Sequence, residues 1–383
     1  MQAAAFILAG FGCLAAAASA VEMAVGNRRL RLLKHVPPAE KTCGRVSIIV
    51  AARNEERHIA GAIQTLIGQA YSDLEIIAVD DRSTDRTGAI LDEIAQGSDR
   101  LKVVHLSELP KGWLGKNHAL HTGASQASGA LLLFTDADVI MDATAVGRAV
   151  GYMHAYGIDH LPVAPGLRGG GFLITVLIGA FLYLFTLAKK PWLVTRARSP
   201  FHMGIGAFNL ITAEAYRKVG GHTQIALRPD DDMMLGKLVK TAGLRQEMLV
   251  GRDLIELEWY ASCREMMRGL EKNAFAGLGY SAVLALLTCV AVSAVIVWPP
   301  VAVFLTAGWV RALNLTALAI WTLSYADQTR LWKAPMRHAV FFPVGTALLI
   351  IAIVRAVAKT LTSGGIQWRG HFYRLRDLKK CEI

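Results

Sequence analysis

Asp136 and Asp138 stand one residue apart at the end of an apolar run, Leu131-Leu132-Leu133-Phe134. Two carboxylates at a strand end are hard oxygen donors that can hold a divalent cation, and a cation held there can also take the oxygens of a diphosphate. The plain alternative is a polar loop after a strand. A second acidic stretch, Val79-Asp80-Asp81-Arg82-Ser83-Thr84-Asp85, ends another apolar run. Carboxylates in that position can accept hydrogen bonds from a base and a ribose. Ser83, Thr84 and Asp85 also suit a helix cap, so Asp85 is expected to cap while Asp80 and Asp81 face the site. Leu109-Pro110-Lys111-Gly112-Trp113-Leu114-Gly115-Lys116 joins glycines that permit close backbone approach to lysines that can reach phosphate; a surface loop is the ordinary reading of such a stretch. Finally, Gly220-Gly221-His222 precedes Asp230-Asp231-Asp232-Met233-Met234-Leu235-Gly236. Adjacent carboxylates repel, so one of them is expected to have a raised pKa, which suits a general base. The same acids would also favour the N-terminus of a helix beginning near Met233.

Strands must deliver these groups to one edge. Val46-Ser47-Ile48-Ile49-Val50 reads as a buried strand, Leu74 to Val79 as a second, Lys102 to His105 as a short third and Leu131 to Phe134 as a fourth. Helices are expected over His58 to Gln69, Asp85 to Ala95 and Asn117 to Ser125. This alternation predicts an α/β domain with a parallel sheet over about 45–272. Functional groups in such sheets gather at the carboxyl ends of the strands, where the acidic motifs lie.

The rest of the chain is unlike a soluble enzyme. Hydrophobic residues make up 53%, and Lys+Arg exceed Asp+Glu by 41 to 30, a net charge of +11. The basic residues cluster beside apolar runs, as in Arg28, Arg29, Arg31 and Lys34, which fits juxtamembrane charge. No zinc-finger spacing or aromatic–basic repeat accompanies them, so nucleic acid is not an expected partner. The five cysteines are scattered and form neither a metal motif nor a disulfide framework. Residues 1–26 are long enough to span a bilayer, which needs ~20 residues. Ala18-Ser19-Ala20 resembles a cleavage site, yet the positive charge follows the apolar run, so an uncleaved anchor with its N-terminus outside is expected. Toward the other end, 278–357 is expected to form membrane helices. Leu278–Val297 and Val301–Leu323 would be a hairpin turning at Trp298-Pro299-Pro300, and Ala339–Val357 a run, with Pro343 and Gly345 able to bend it, that dips without crossing or packs along the others. Residues 358–383 then form a basic cytosolic tail. Phe172–Ala188 is also apolar, but a crossing there would separate Asp136 from Asp231, so it is read as an interfacial segment of the catalytic domain, a re-entrant helix or a core helix against the membrane.

Taken together, Ala52-Arg53-Asn54-Glu55, Val79-Asp80-Asp81, Asp136-Ala137-Asp138, Gly204-Ile205-Gly206-Ala207, Val219-Gly220-Gly221 and Asp231-Asp232-Met233-Met234-Leu235 resemble family 2 glycosyltransferases of the GT-A fold, from Val46 to about Leu244. The membrane layout, the Lys-Gly-Trp-Leu-Gly-Lys stretch and Trp368-Arg369-Gly370 are most similar to hopanoid-associated and carotenoid glycosyltransferases, and more distantly to ceramide glucosyltransferases. The resemblance implies a GT-A (Rossmann-like) nucleotide-sugar-binding domain flanked by transmembrane helices at both ends. It implies a nucleotide-diphosphate sugar as donor and Mn²⁺ or Mg²⁺ as cofactor. Glu55, Asp80 and Asp81 would contact the nucleotide, with Lys116 on the phosphates. Asp136 and Asp138 would bind the metal with the diphosphate, and Asp232 would be the general base, with Asp231 as the alternative. Arg268, Lys272 and Arg369 are secondary candidates beside the leaving group, or else interfacial anchors. The expected reaction is an inverting transfer to a lipid or membrane-associated acceptor, by a multi-pass protein of the cell (inner) membrane whose catalytic domain is cytosolic. The chain departs from the family pattern where Ala51-Ala52 replaces a usual proline and where His121 replaces a frequent asparagine. The Gln-x-x-Arg-Trp signature of processive synthases is missing, which argues against a processive polysaccharide synthase. A nucleotidyltransferase could use the same nucleotide-binding half but would not need the Asp231-Asp232 base near a membrane. A non-catalytic membrane scaffold would tolerate loss of Asp136 and Asp138.

Overall fold

The structure is a computed structural model and describes residues 2–39, 43–333 and 335–379. Its strands, in chain order, are β1 (Arg31–Leu32), β2 (Val46–Ala52), β3 (Leu74–Asp81), β4 (Leu101–Leu106), β5 (Leu131–Asp136), β6 (Ile140–Met141), β7 (His160–Ala164), β8 (Gly166–Gly169), β9 (Asn209–Thr212), β10 (Leu249–Val250), β11 (Ile255–Tyr260), β12 (Gly365–Trp368) and β13 (His371–Arg374). The chain divides into an α/β unit, residues 30–167 and 191–258, and a helical unit, residues 2–29, 168–190 and 259–379.

An eight-stranded sheet ordered β1-β10-β7-β9-β5-β2-β3-β4 organises the α/β unit. β2, β3 and β5 are almost wholly buried, which is why they read as continuous apolar runs rather than alternating ones. Ile49, Leu120, Leu132, Phe134, Ile211, Leu235 and Val239 pack into one core, and Ile77, Val79 and Ala119 into another. The parallel register matters more for function than the packing does. Val46 pairs with both Leu74 and Leu131, so Ala52 lies opposite Asp80 and Ala51 opposite Asp136. The three strands therefore end together.

The sheet is mixed rather than purely parallel. β9 runs antiparallel to both β5 and β7, pairing Asn209 with Phe134. It is short and follows the loop 194–208, so no long apolar run announces it. Its direction brings the preceding stretch, Gly204–Phe208, to the edge where Asp136 sits. The expected helices appear at Ile59–Ile67, Thr87–Ala95 and Gly115–Ser125, and the acidic helix starts at Asp231 rather than Met233.

Four helical stretches of the helical unit are long and apolar enough to cross a membrane: Gln2–Asn27, Phe172–Leu193, Ala282–Leu305 and Met336–Ser363. Phe172–Lys189 packs with this unit rather than within the α/β domain: Val176 and Ala180 lie against Gly345, and the Tyr183 hydroxyl bonds to Ser324 at 2.6 Å. The turn expected at Trp298-Pro299-Pro300 is not there. The chain stays helical through both prolines to Leu305, and the turn falls at Thr306–Ala307. A π-helical turn, Ser293–Val297, lies just before the prolines, where the regular hydrogen-bond ladder is already interrupted. Helix Gly308–Trp332 then runs on through Arg311, Asp327 and Arg330. Nor do Pro343 and Gly345 bend the last long helix. Phe342–Ser363 is continuous because Pro343 occupies its first turn.

Candidate active site

Lys116 joins the acidic motifs. Its Nζ lies 2.7 Å from Asp136 Oδ1 at the end of β5 and 3.6 Å from Asp231 Oδ1 at the start of helix Asp231–Thr241. Lys116 opens helix Gly115–Ser125, and Gly115 is required there: a Cβ on it would overlap Asp81 Oδ2. Burial lowers the lysine's pKa, but the carboxylates of Asp136, Asp231 and Asp232 outweigh this and hold the ammonium charged.

The three consecutive aspartates have three different environments. Asp230 takes a two-point bond from Arg228, at 2.9 and 2.8 Å. Asp231 is buried and faces Lys116. Asp232 accepts from the backbone N–H of Gly206 and of Met233, both at 2.8 Å. Its pKa is pushed up to about 7, first by burial and then by the negative charge of Asp231, with Lys116 opposing. The repulsion expected from the sequence thus falls on Asp232. Gly204 and Gly206 make the approach possible. A Cβ on Gly204 would overlap the Asp232 carbonyl oxygen, and one on Gly206 would sit 2.7 Å from Asp136 Oδ2.

Asp138 also rises to about 7, through burial and then the charges of Asp136 and Glu55. Among the described residues no three His, Cys, Asp or Glu side chains form a metal cage by themselves. Asp136 and Asp138 nonetheless fit a hard divalent cation. They are oxygen donors whose mutual repulsion a cation would relieve, and Mg²⁺-type sites commonly use one or two carboxylates with substrate phosphates completing the shell.

The nucleotide-side candidates are more occupied than expected. Asp80 accepts from the Ser83 N–H at 3.2 Å and from His105 Nδ1 at 3.1 Å. Asp81 is forked by Arg82, at 2.8 and 3.1 Å, with Arg53 at 3.7 Å. Asp85 stands one residue before the N-cap position, Arg86; it accepts from Thr87 and also from the Glu56 N–H, tying the loops after β2 and β3 together. Asn54 and Arg82 take left-handed backbone conformations, φ 55° and 57°, and Asn54 Oδ1 accepts from Thr84 N–H at 2.8 Å. The Glu55 N–H bonds to Thr87 Oγ1 at 2.8 Å. Lys111 is exposed on its loop. Arg268 and Arg369 belong to the helical unit, and the side chain of Lys272 lies outside the described residues.

Sequence reading missed a buried network that holds the segment before Gly204 in place. His160 Nε2 meets Asn209 Oδ1 at 2.7 Å, and Gln246 Nε2 meets His160 Nδ1 at 2.7 Å and donates to the Gly236 carbonyl at 2.9 Å. Gln246 Oε1 accepts from Met203 N–H at 2.9 Å, which pins the chain just before Gly204. Burial pushes His160 down to about 4, so it is neutral, with Nδ1 accepting and Nε2 donating. His160, Asn209 and Gln246 lie in three separate segments, and no local motif links them.

This arrangement can hold an anion-rich ligand with a cation at Asp136 and Asp138 and keep a carboxylate of near-neutral pKa beside it. The glycosyl transferase family 2 model matches residues 47–205. Those residues are a family 2 glycosyltransferase domain. The match ends one residue after Gly204, so Asp231 and Asp232 lie beyond it. A 4,4'-diaponeurosporenoate glycosyltransferase of Staphylococcus haemolyticus is 24% identical over 66% of this chain and 66% of its own length. A beta-monoglucosyldiacylglycerol synthase of Synechocystis is 38% identical over 50% of this chain and 39% of its own length. The chain spans 36% and 24% of the length of two further curated relatives. A mannosyltransferase from Pyrobaculum calidifontis, solved with GDP-Man and Mn²⁺, superposes with a TM-score of 0.58 at 18% identity, covering 91% of this chain and 99% of that one. That likeness shows the GT-A fold of the family 2 domain.

Proposed function

We propose that the protein is an inverting glycosyltransferase that moves one sugar from a nucleotide-diphosphate sugar to a membrane lipid. The observation that carries this reading is the meeting of Asp136, Lys116 and Asp231–Asp232 at one sheet edge. Asp136 and Asp138 would hold Mn²⁺ or Mg²⁺, and that cation supplies charge stabilisation for a departing diphosphate. Glu55, Asp80 and Asp81 form the nucleotide side, with Asp80 and Asp81 acting through loops that they hold in place. Asp232 takes the proton of an acceptor hydroxyl as its oxygen bonds to the anomeric carbon. The bond from that carbon to the diphosphate breaks, and the electron pair leaves with the diphosphate. A base with a pKa near 7 is suited to that transfer at neutral pH. Turnover should be lost in Asp232→Asn while donor binding survives; near-normal turnover would remove the role from Asp232.

A lipid acceptor is favoured by the apolar helices and by the two named relatives, whose names refer to 4,4'-diaponeurosporenoate and to a monoglucosyldiacylglycerol. We read the protein as a multi-pass protein of the inner membrane with a cytosolic catalytic unit, where nucleotide sugars are made. Helix Gln2–Asn27, followed by Arg28, Arg29 and Arg31, would run outside to inside. Ala282–Leu305 would go out and Gly308–Trp332 return. Phe172–Lys189 would not cross, because β7 before it and β9 after it are hydrogen-bonded neighbours in one sheet. Phe342–Ser363 would not cross either. Arg355 and Lys359 interrupt it, and both pair with Glu271, at 3.0 and 2.5 Å.

A further inference from the structure

Lys116 occupies the very carboxylate that a metal would need. Its ammonium lies 2.7 Å from Asp136 Oδ1, and Gly206 sits so near the other Asp136 oxygen that a Cβ there would come within 2.7 Å of it. A divalent cation and an ammonium cannot both sit against one carboxylate without strong repulsion. Asp231 offers the ammonium a second carboxylate, 3.6 Å away. A diphosphate would offer it a third anionic partner and would supply further oxygens to the metal.

We infer that Lys116 is an internal stand-in cation at Asp136, displaced when a divalent metal binds together with a nucleoside diphosphate. This rests on the nucleotide-sugar reading and adds an order to it. In the free protein Lys116 neutralises Asp136, and metal alone binds poorly. When the diphosphate arrives, the ammonium transfers from Asp136 to phosphate oxygen and to Asp231, leaving Asp136 for the metal. The exchange replaces an ammonium at Asp136 with a dication, whose additional charge the diphosphate oxygens balance. It also prevents the site from filling with metal before the donor is present. By linkage, the gain that the nucleotide gives the metal equals the gain that the metal gives the nucleotide.

The test uses the full-length protein in detergent or nanodiscs. Mn²⁺ binding is followed by electron paramagnetic resonance, with and without UDP and, separately, GDP. Wild type should bind Mn²⁺ alone weakly and gain about tenfold or more with the nucleotide that fits, within the usual range of couplings. In Lys116→Met, Mn²⁺ alone should bind several-fold more tightly while the nucleotide in the presence of Mn²⁺ binds more weakly. Opposite signs for the two ligands are the signature, because a site that merely lost its shape would lose both. Lys116→Gln, which keeps a polar partner for Asp136, should show the same signs if the Met variant does not fold. If both variants bind Mn²⁺ alone no better than wild type, the exchange is refuted while the nucleotide-sugar reading stands. If wild type binds neither UDP nor GDP with Mn²⁺, the reading itself falls and the inference with it.

Discussion

Acidifying the assay from pH 8 to pH 6 should reduce kcat/KM about tenfold, through protonation of one carboxylate. Asp232 has a folded-state pKa of about 7, because it is buried and Asp231 stands next to it. A base must be ionised to work, so activity is lost as pH falls through that value. The ionised fraction is about 90% at pH 8, about half at pH 7 and about 9% at pH 6. Asp138 would add a second limb near the same pH in the metal-free protein, since burial and its acidic neighbours raise it as well. Saturating Mn²⁺ removes that limb, because a bound cation holds its ligands deprotonated. The assay is therefore initial-rate transfer at saturating Mn²⁺ and subsaturating donor and acceptor, from pH 5.5 to 8.5. Asp231→Asn provides the internal check: removing the like charge should displace the limb to lower pH, by of order one unit, with turnover still measurable. A flat profile between pH 6 and pH 8 would refute the reasoning. So would an inactive Asp231→Asn beside an active Asp232→Asn, which would exchange the two roles.

Asp138→Asn should abolish transfer and weaken donor binding, and chelator should do the same to wild type; full activity after chelation would remove the metal. Gly204→Ala forces a Cβ against the backbone of Asp232, so at least a hundredfold of activity should go, with about 1–3 kcal/mol of stability, read by transfer rate and thermal unfolding. A single cysteine at Ser363, which is exposed, should resist an impermeant reagent applied to intact cells; labelling from outside would make Phe342–Ser363 a true span.

The parts of this site that follow an apolar strand were legible in the sequence. Asp80, Asp81, Asp136 and Asp138 stand out because β3 and β5 are buried on both faces and stop abruptly at acids. β9 was not legible. It is four residues long, and its place between β5 and β7 depends on pairing with distant strands. The network of His160, Asn209 and Gln246 was hidden for the same reason: hydrogen bonds between remote segments leave no spacing to read. Proline misled at Trp298-Pro299-Pro300, where a helix start and a turn have the same local composition. Asp80 and Asp81 stand out in the sequence, yet their partners, Ser83, His105, Arg82 and Arg53, become visible only in the folded loops.

The most direct test of the central claim is product formation. Purified full-length protein in nanodiscs would be given Mn²⁺, a panel of radiolabelled nucleotide sugars and a bacterial lipid extract, with lipid-phase label and released nucleoside diphosphate measured together. Label should enter the organic phase from at least one donor, one sugar per lipid and one diphosphate per sugar, and both signals should vanish in Asp232→Asn. Long water-soluble polymer, or no diphosphate release with any donor, would contradict the account.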